Sequence, residues 1–155
     1  MASNPAARPE GRLAILLPGL GAVATTLIAG VELARRGLGK PIGSLTQMGT
    51  IRLGKRTEGR TVRIDELVGL ASLDDVVFGA WDIVNEDAWQ VAKRSNVLPA
   101  EQLAPLEEML KGIKPKKGIF DPEAVRRIDA NHVIEAKSHR ARIEQVRKDI
   151  PDFMK

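Results

Sequence analysis

Five consecutive apolar residues, Leu13-Ala14-Ile15-Leu16-Leu17, end at Pro18-Gly19. A run this short and hydrophobic at every position predicts a strand buried on both faces of a parallel sheet, and the Pro-Gly pair predicts a turn. Good helix formers occupy residues 22–36, with Val23, Leu27, Val31 and Ala34 on one predicted apolar stripe. Gly37 marks the stop, and Arg35 and Arg36 suit the negative end of the helix dipole. Residues 43–64 change the rhythm: Ile51-Arg52-Leu53 and Thr61-Val62-Arg63-Ile64 alternate around a Gly/Lys/Arg/Glu turn, which predicts a small β-hairpin insertion.

A second buried strand is predicted across residues 74–83, followed by a helix over about 86–94 and a shorter one over 100–110. Residues 111–118 read as a basic, proline-containing loop. Asp121-Pro122-Glu123 reads as a helix start with proline at the first helical position. A charged helix is predicted over 134–150, with Ile143, Val146 and Ile150 on one stripe. Residues 1–11 read as a flexible leader and residues 12–155 as one α/β domain with a parallel sheet and flanking helices.

Composition changes this picture little. The chain has 155 residues, 43% hydrophobic and 28% charged, the balance of a folded globular domain. It has no cysteine, which excludes disulfides, thiolate zinc sites and a cysteine nucleophile, and fits a reducing, cytoplasmic setting. Pro18, Gly19 and Gly21 interrupt the apolar stretch of residues 13–31, so neither a transmembrane span nor a signal peptide is expected. The net charge of +4 is uneven, because residues 111–155 hold 12 of the 24 basic side chains and 7 of the 20 acidic ones. Such a segment can meet nucleic acid, an anionic membrane or a phosphorylated small molecule, but a solvated helix face is the commoner explanation, and neither nucleic acid nor membrane is expected as a partner.

The chemistry concentrates at Gly19-Leu20-Gly21-Ala22-Val23-Ala24, a G-x-G-x-x-A sequence between a predicted strand and a predicted helix. Gly19 can turn sharply, Gly21 lets the backbone approach a pyrophosphate, and the small Ala24 allows the helix to pack closely. Unbonded N–H groups at the helix start then attract phosphate. An acid is expected about 20 residues on, at the tip of the second strand, yet Lys40-Pro41 stands there. If residues 43–73 are inserted, the strand becomes 76–81 and the acid becomes Asp82, whose carboxylate can accept ribose hydroxyls and favours NAD over NADP. Asp82 as a helix N-cap is the competing assignment.

Gly43-Ser44-Leu45-Thr46-Gln47, Asp74-Asp75-Val76-Val77-Phe78-Gly79, Trp81-Asp82-Ile83 and Gly118-Ile119-Phe120-Asp121-Pro122 together resemble the myo-inositol-1-phosphate synthase family. The resemblance runs from about Leu13 to the C-terminus and covers the family's front part. It implies an incomplete Rossmann-like NAD-binding domain, with the catalytic and oligomerisation domain lying beyond it. The implied activity is conversion of D-glucose 6-phosphate to 1D-myo-inositol 3-phosphate, an isomerase of inositol and phospholipid biosynthesis. The reaction oxidises C5, closes C6 on C1 by aldol chemistry and returns the hydride, with lysines of the later segment stabilising negative oxygens. No catalytic residue is assigned within this chain, so it is expected to be inactive alone. Full members are implied to be homotetramers.

The resemblance places Leu20, Gly21, Ala22 and Val23 at the phosphate turn, Asp82 and Ile83 beside the adenosine ribose, and Gly118-Ile119 on the adenosine side. Asp129 and His132 align nearby, where relatives often carry Gln and Arg. Relatives also have a Gly-Gly-Asn-Asn-Gly type of loop where this chain has Leu20-Gly21-Ala22-Val23-Ala24, so backbone contacts replace side-chain amides. The alternatives are an ordinary NAD-dependent dehydrogenase domain and a basic nucleic-acid-binding module. His132 and His139 lack the neighbours of a metal site. Trp81 and Trp89 read as packing residues, Lys111, Lys114, Lys116 and Lys117 as a solvated loop, and Ser44 and Thr46 as a turn or a phosphate-contacting pair.

Overall fold

The computed structural model describes residue 7 and residues 10–154, so most of the leader predicted over residues 1–11 lies outside the described residues. In chain order the elements are β1 (Leu13–Pro18), α1 (Ala22–Arg35), α2 (Leu45–Met48), β2 (Thr50–Arg52), β3 (Thr61–Arg63), α3 (Ile64–Leu67), β4 (Val76–Asp82), α4 (Ala88–Ser95), α5 (Ala100–Leu103), α6 (Glu107–Gly112), β5 (Lys116–Lys117) and α7 (His139–Asp149). Among the described residues they fall into two compact units, one of residues 14–29 and 77–154, the other of residues 10–13 and 30–76.

The larger unit carries a parallel three-stranded sheet in the order β1-β4-β5. Trp81 and Asp82 lie opposite Lys116 and Lys117, so part of the predicted basic loop is a third strand. A single parallel bridge from Gly118 to Val133 continues that edge. β1 is an edge strand and Leu13 is 49% exposed, which corrects the expectation of burial on both faces.

Helix α1 buries Ala24, Thr25, Ile28 and Ala29, while Val23 and Leu27 face solvent. The predicted stripe therefore sits on the opposite side from the core. This helix is apolar around most of its circumference, and the side that is buried is the one with small residues that permit close packing. Helix α4 begins at a capping box: Gln90 N–H donates to Asp87 Oδ1 at 2.8 Å and Asp87 N–H to Gln90 Oε1 at 3.0 Å. Its buried Ala88, Val91 and Ala92 stand in the helix that packs against α6, where Leu110 is buried.

The charged C-terminal helix starts at His139, capped by Ser138 Oγ, rather than near residue 134. Ile134 cannot be helical, because its N–H is spent on Gly118 O at 2.9 Å in an extended pairing. Ile143 and Ile150 remain largely exposed; what docks is Asp149, which accepts the Trp81 Nε1–H at 2.8 Å, and Phe153, whose ring meets Trp81 edge-on at 5.0 Å. Phe153 lies directly over Gly79, where any side chain would collide with the ring. Nor does Asp121-Pro122-Glu123 start a helix. Val125 N–H closes one turn on Asp121 O, and the residues that follow are exposed, with no apolar face to bury.

In the smaller unit the predicted hairpin is present, with β2 and β3 antiparallel and Ile51 opposite Val62. The Arg63 guanidinium grips the buried Asp65 carboxylate through Nε at 2.9 Å and Nη2 at 3.0 Å. The last turn of α1 closes as predicted at Gly37, with Leu38 N–H on Leu33 O at 2.9 Å and Gly37 N–H on Ala34 O at 3.1 Å. Arg35 Nε then donates to Leu73 O at 2.7 Å.

Candidate functional site

The site begins at Gly19, whose φ of 124° lies where an L side chain is strained and glycine is not. That bend turns the chain out of β1 and brings Gly19 N–H to Trp81 O at 2.8 Å. The next amide, Leu20 N–H, donates to Asp82 Oδ2 at 2.6 Å, and Asp82 Oδ1 accepts Val84 N–H at 3.0 Å. One carboxylate thus ties the glycine turn to the tip of the neighbouring strand. Asp82 does not cap α4, whose N-cap is Asp87.

The Leu20 side chain is 1% exposed and belongs to the core, and its amide is engaged by Asp82. Ala24 is buried, as close packing of the helix requires. Gly21, Ala22 and Val23 lie on the open side. A Cβ built on Gly21 would meet no atom within 4 Å, and the Val23 side chain is 86% exposed. Amides in the first turn of an α-helix have no intrahelical acceptor and carry the positive end of its dipole, so α1 presents bare donors where Gly21 leaves space.

Asp82 and Ile83 line two cavities. The larger, of about 710 Å³, is mostly apolar and adds Pro18, Gly19, Trp81, Gly118 and Ile119 to them, with Val146 and Ile150 of the C-terminal segment as one wall. It lies at the carboxyl ends of β1 and β4, where open parallel sheets bind ligands, and it is large enough for half of a dinucleotide. The smaller, of about 240 Å³, joins Leu20 and Gly21 to Val84, Glu86, Val91 and Arg94. Gly118 is buried against the Asp82 backbone, and a Cβ there would come within 2.9 Å of Asp82 C and of Ile83 Cγ2. Its N–H donates to Asp82 O at 2.9 Å. The residues present therefore fit a dinucleotide: bare amides, an adjacent carboxylate and an apolar cleft meet at one strand edge.

Two aligned residues fall elsewhere. His132 faces Pro115 O through Nε2 at 3.2 Å and lines a separate cavity with Lys117 and Glu135. Asp129 is exposed and lines neither cavity beside Asp82. Only its backbone connects His132 to the site, its N–H donating to Ile83 O at 2.9 Å. Within the basic cluster Lys111 pairs with Glu107 and Lys116 with Asp152, so those two charges are locally balanced. The larger cavity's wall, Val146 and Ile150, escaped sequence reasoning as a cavity-lining feature, because helical periodicity shows an apolar stripe but not what it faces. Glu86 and Arg94 were likewise unmarked, although their proximity to Asp82 in sequence is the signal that could have found them.

Among the described residues, no three His, Asp or Glu stand together to hold a metal ion, and no helix is long and apolar enough to cross a membrane.

The NAD-binding sequence profile described as myo-inositol-1-phosphate synthase matches residues 13–155. The chain is 40% identical over 144 residues to inositol-3-phosphate synthase 1 of Bacteroides thetaiotaomicron, an alignment covering 92% of this chain and 33% of that protein. It is 31% identical over 157 residues to inositol-3-phosphate synthase 1 of Oryza sativa subsp. japonica, covering 92% and 31%. The fold superposes on the crystal structure of inositol-3-phosphate synthase from Caenorhabditis elegans with a TM-score of 0.78 and 23% identity, covering 93% of this chain and 32% of that one. The chain thus spans about a third of the length of these relatives.

Proposed function

Because the chain belongs to the myo-inositol-1-phosphate synthase family, we propose that it is the NAD-holding part of an inositol-3-phosphate synthase, an intramolecular lyase acting on D-glucose 6-phosphate. The observation that carries the reading is the bond from Leu20 N–H to Asp82 Oδ2, which joins the glycine turn to the strand-tip acid. When bound, NAD supplies a hydride acceptor and later returns the hydride.

The chain's own groups have binding and orienting roles. The amides of Gly21, Ala22 and Val23 receive the pyrophosphate, with Gly19 shaping the bend and Ala24 seating the helix. Asp82 accepts ribose hydroxyls with the lone pairs that Leu20 and Val84 leave open, since each carboxylate oxygen can accept more than one bond. Ile83, Gly118 and Ile119 flank the adenosine, and the apolar cleft excludes water from it. The lysines that the family resemblance assigns to carbonyl and enolate oxygens belong to parts of the relatives that this chain does not span. Domain organisation follows the same reading: a leader over residues 1–11 and a cofactor domain over 12–155, within a cytoplasmic homotetrameric enzyme.

Calorimetric titration of the 155-residue chain with NAD tests the cofactor assignment. Saturable one-site binding is expected, with quenching of Trp81 emission because Trp81 lines the cleft. Absence of both signals would remove the assignment.

A further inference from the structure

The smaller cavity beside Asp82 contains an ion pair that the cofactor reading leaves unused. Glu86 sits between the tip of β4 and the cap of α4, and its Oε2 accepts Arg94 Nη2 at 2.6 Å and Arg94 Nε at 3.2 Å. Both side chains line the cavity together with Leu20, Gly21 and Asp82. A guanidinium therefore stands in the same small space as the carboxylate assigned to the ribose.

Charge at this point decides which dinucleotide fits. A carboxylate suits free ribose hydroxyls, and an arginine accommodates a 2′-phosphate. This chain carries both, but the arginine is engaged by a second acid through a charge-assisted fork. The other cation of that helical turn, Lys93, lies over the Trp89 ring at 5.5 Å and does not line the cavity. Asp82, Glu86 and Arg94 together leave one net negative charge. Arg94 is 64% exposed and Glu86 28%, and a pair this open contributes little to folding, so stability does not account for it.

We propose that Glu86 is a specificity-determining residue: by holding Arg94 and adding a second negative charge, it denies a 2′-phosphate the cation it needs and makes the site select NAD over NADP. The inference rests on the cofactor site proposed above. On this view Asp82 alone does not set the preference. Removing the Glu86 charge leaves Arg94 uncommitted in a cavity with no net charge.

The test is titration of the full 155-residue chain with NAD and, separately, with NADP. Wild type is expected to prefer NAD. In Glu86→Gln the ratio of NAD to NADP affinity should fall on the order of tenfold, the worth of one charge-assisted contact, through tighter NADP binding. The double variant Glu86→Gln/Arg94→Gln should lose that gain, and the gain should shrink as salt is raised. Should Glu86→Gln fail to melt cooperatively, Arg94→Gln alone serves: it leaves Asp82 and Glu86 with no cation beside them, so their added repulsion should make NADP bind more weakly than to wild type. An unchanged ratio in Glu86→Gln, a gain that survives loss of Arg94, or NADP binding indifferent to Arg94→Gln would overturn the proposal while leaving the cofactor site standing. Failure of wild type to bind either dinucleotide would overturn both.

Discussion

Leu20 N–H and the Asp82 carboxylate, 62 residues apart in sequence, meet at 2.6 Å. The glycine turn is thereby anchored by the acid that the cofactor reading assigns to the ribose, so the two halves of the site cannot shift independently. Asp82→Asn keeps the shape but removes the charge from both backbone bonds. NAD affinity is expected to fall by about 1–3 kcal/mol, together with a loss of fold stability of about 1 kcal/mol. Calorimetry and urea denaturation read the two separately, and unchanged NAD affinity would take Asp82 out of the site.

Gly21 offers a cleaner separation of fold from function. A Cβ there meets no atom within 4 Å, and its backbone is not left-handed. Gly21→Val is therefore expected to change stability by no more than about 0.5 kcal/mol, yet to block the approach of a pyrophosphate and weaken NAD binding at least tenfold, on the order of the 1.4 kcal/mol such a factor represents. Equal NAD affinity in wild type and variant would contradict the phosphate assignment.

The C-terminal segment is held to β4 by the contact of Phe153 with Gly79. Gly79→Ala should displace the ring and cost about 1–3 kcal/mol. Phe153→Ala opens room for that methyl, so the double variant should be less destabilised than the sum of the singles, with a coupling of about 0.5–3 kcal/mol. Additive denaturation midpoints would mean that the ring does not occupy this position.

Acid should expose the role of Glu32. Its burial opposes ionisation, but hydrogen bonds and charge from Arg36 and Arg35 outweigh that effect and hold the carboxyl below its ordinary value of 4.5. A folded-state value below the unfolded one stabilises the fold above pH 4.5, and that contribution disappears as pH falls through the folded value. Glu32→Gln should therefore be less stable than wild type at pH 7, with the gap narrowing steadily below pH 4.5. Parallel thermal melts across this range check the sign; a gap that widens in acid would contradict it.

The glycine turn, both long strands and the hairpin were legible because each has local chemistry: Gly19 at a left-handed bend, an unbroken apolar run, alternation around a turn. The buried face of α1 was not, because Val23 and Leu27 compete with Ala24 and Ile28 as equally plausible stripes, and only packing chooses between them. Lys116–Lys117 could not be read as a strand, since two polar residues join the sheet through backbone bonds that their side chains do not advertise. The delayed start of α7 has the same origin, in the commitment of Ile134 to Gly118. Within the candidate site, the glycine turn was legible from spacing and Asp82 from the end of its strand, and Glu86 and Arg94 lay within reach of the same local reading, whereas the wall of the larger cavity is a product of tertiary arrangement.

Val146 and Ile150 line the same cleft as Pro18 and Gly19, which stand far earlier in the sequence. During synthesis the bend that would greet a nucleotide emerges long before the surface that shelters it. On the proposed reading, full enclosure of a ligand would wait for the helix that carries Val146, and a nascent chain stalled before that residue would display the docking loop with one wall of its cleft missing.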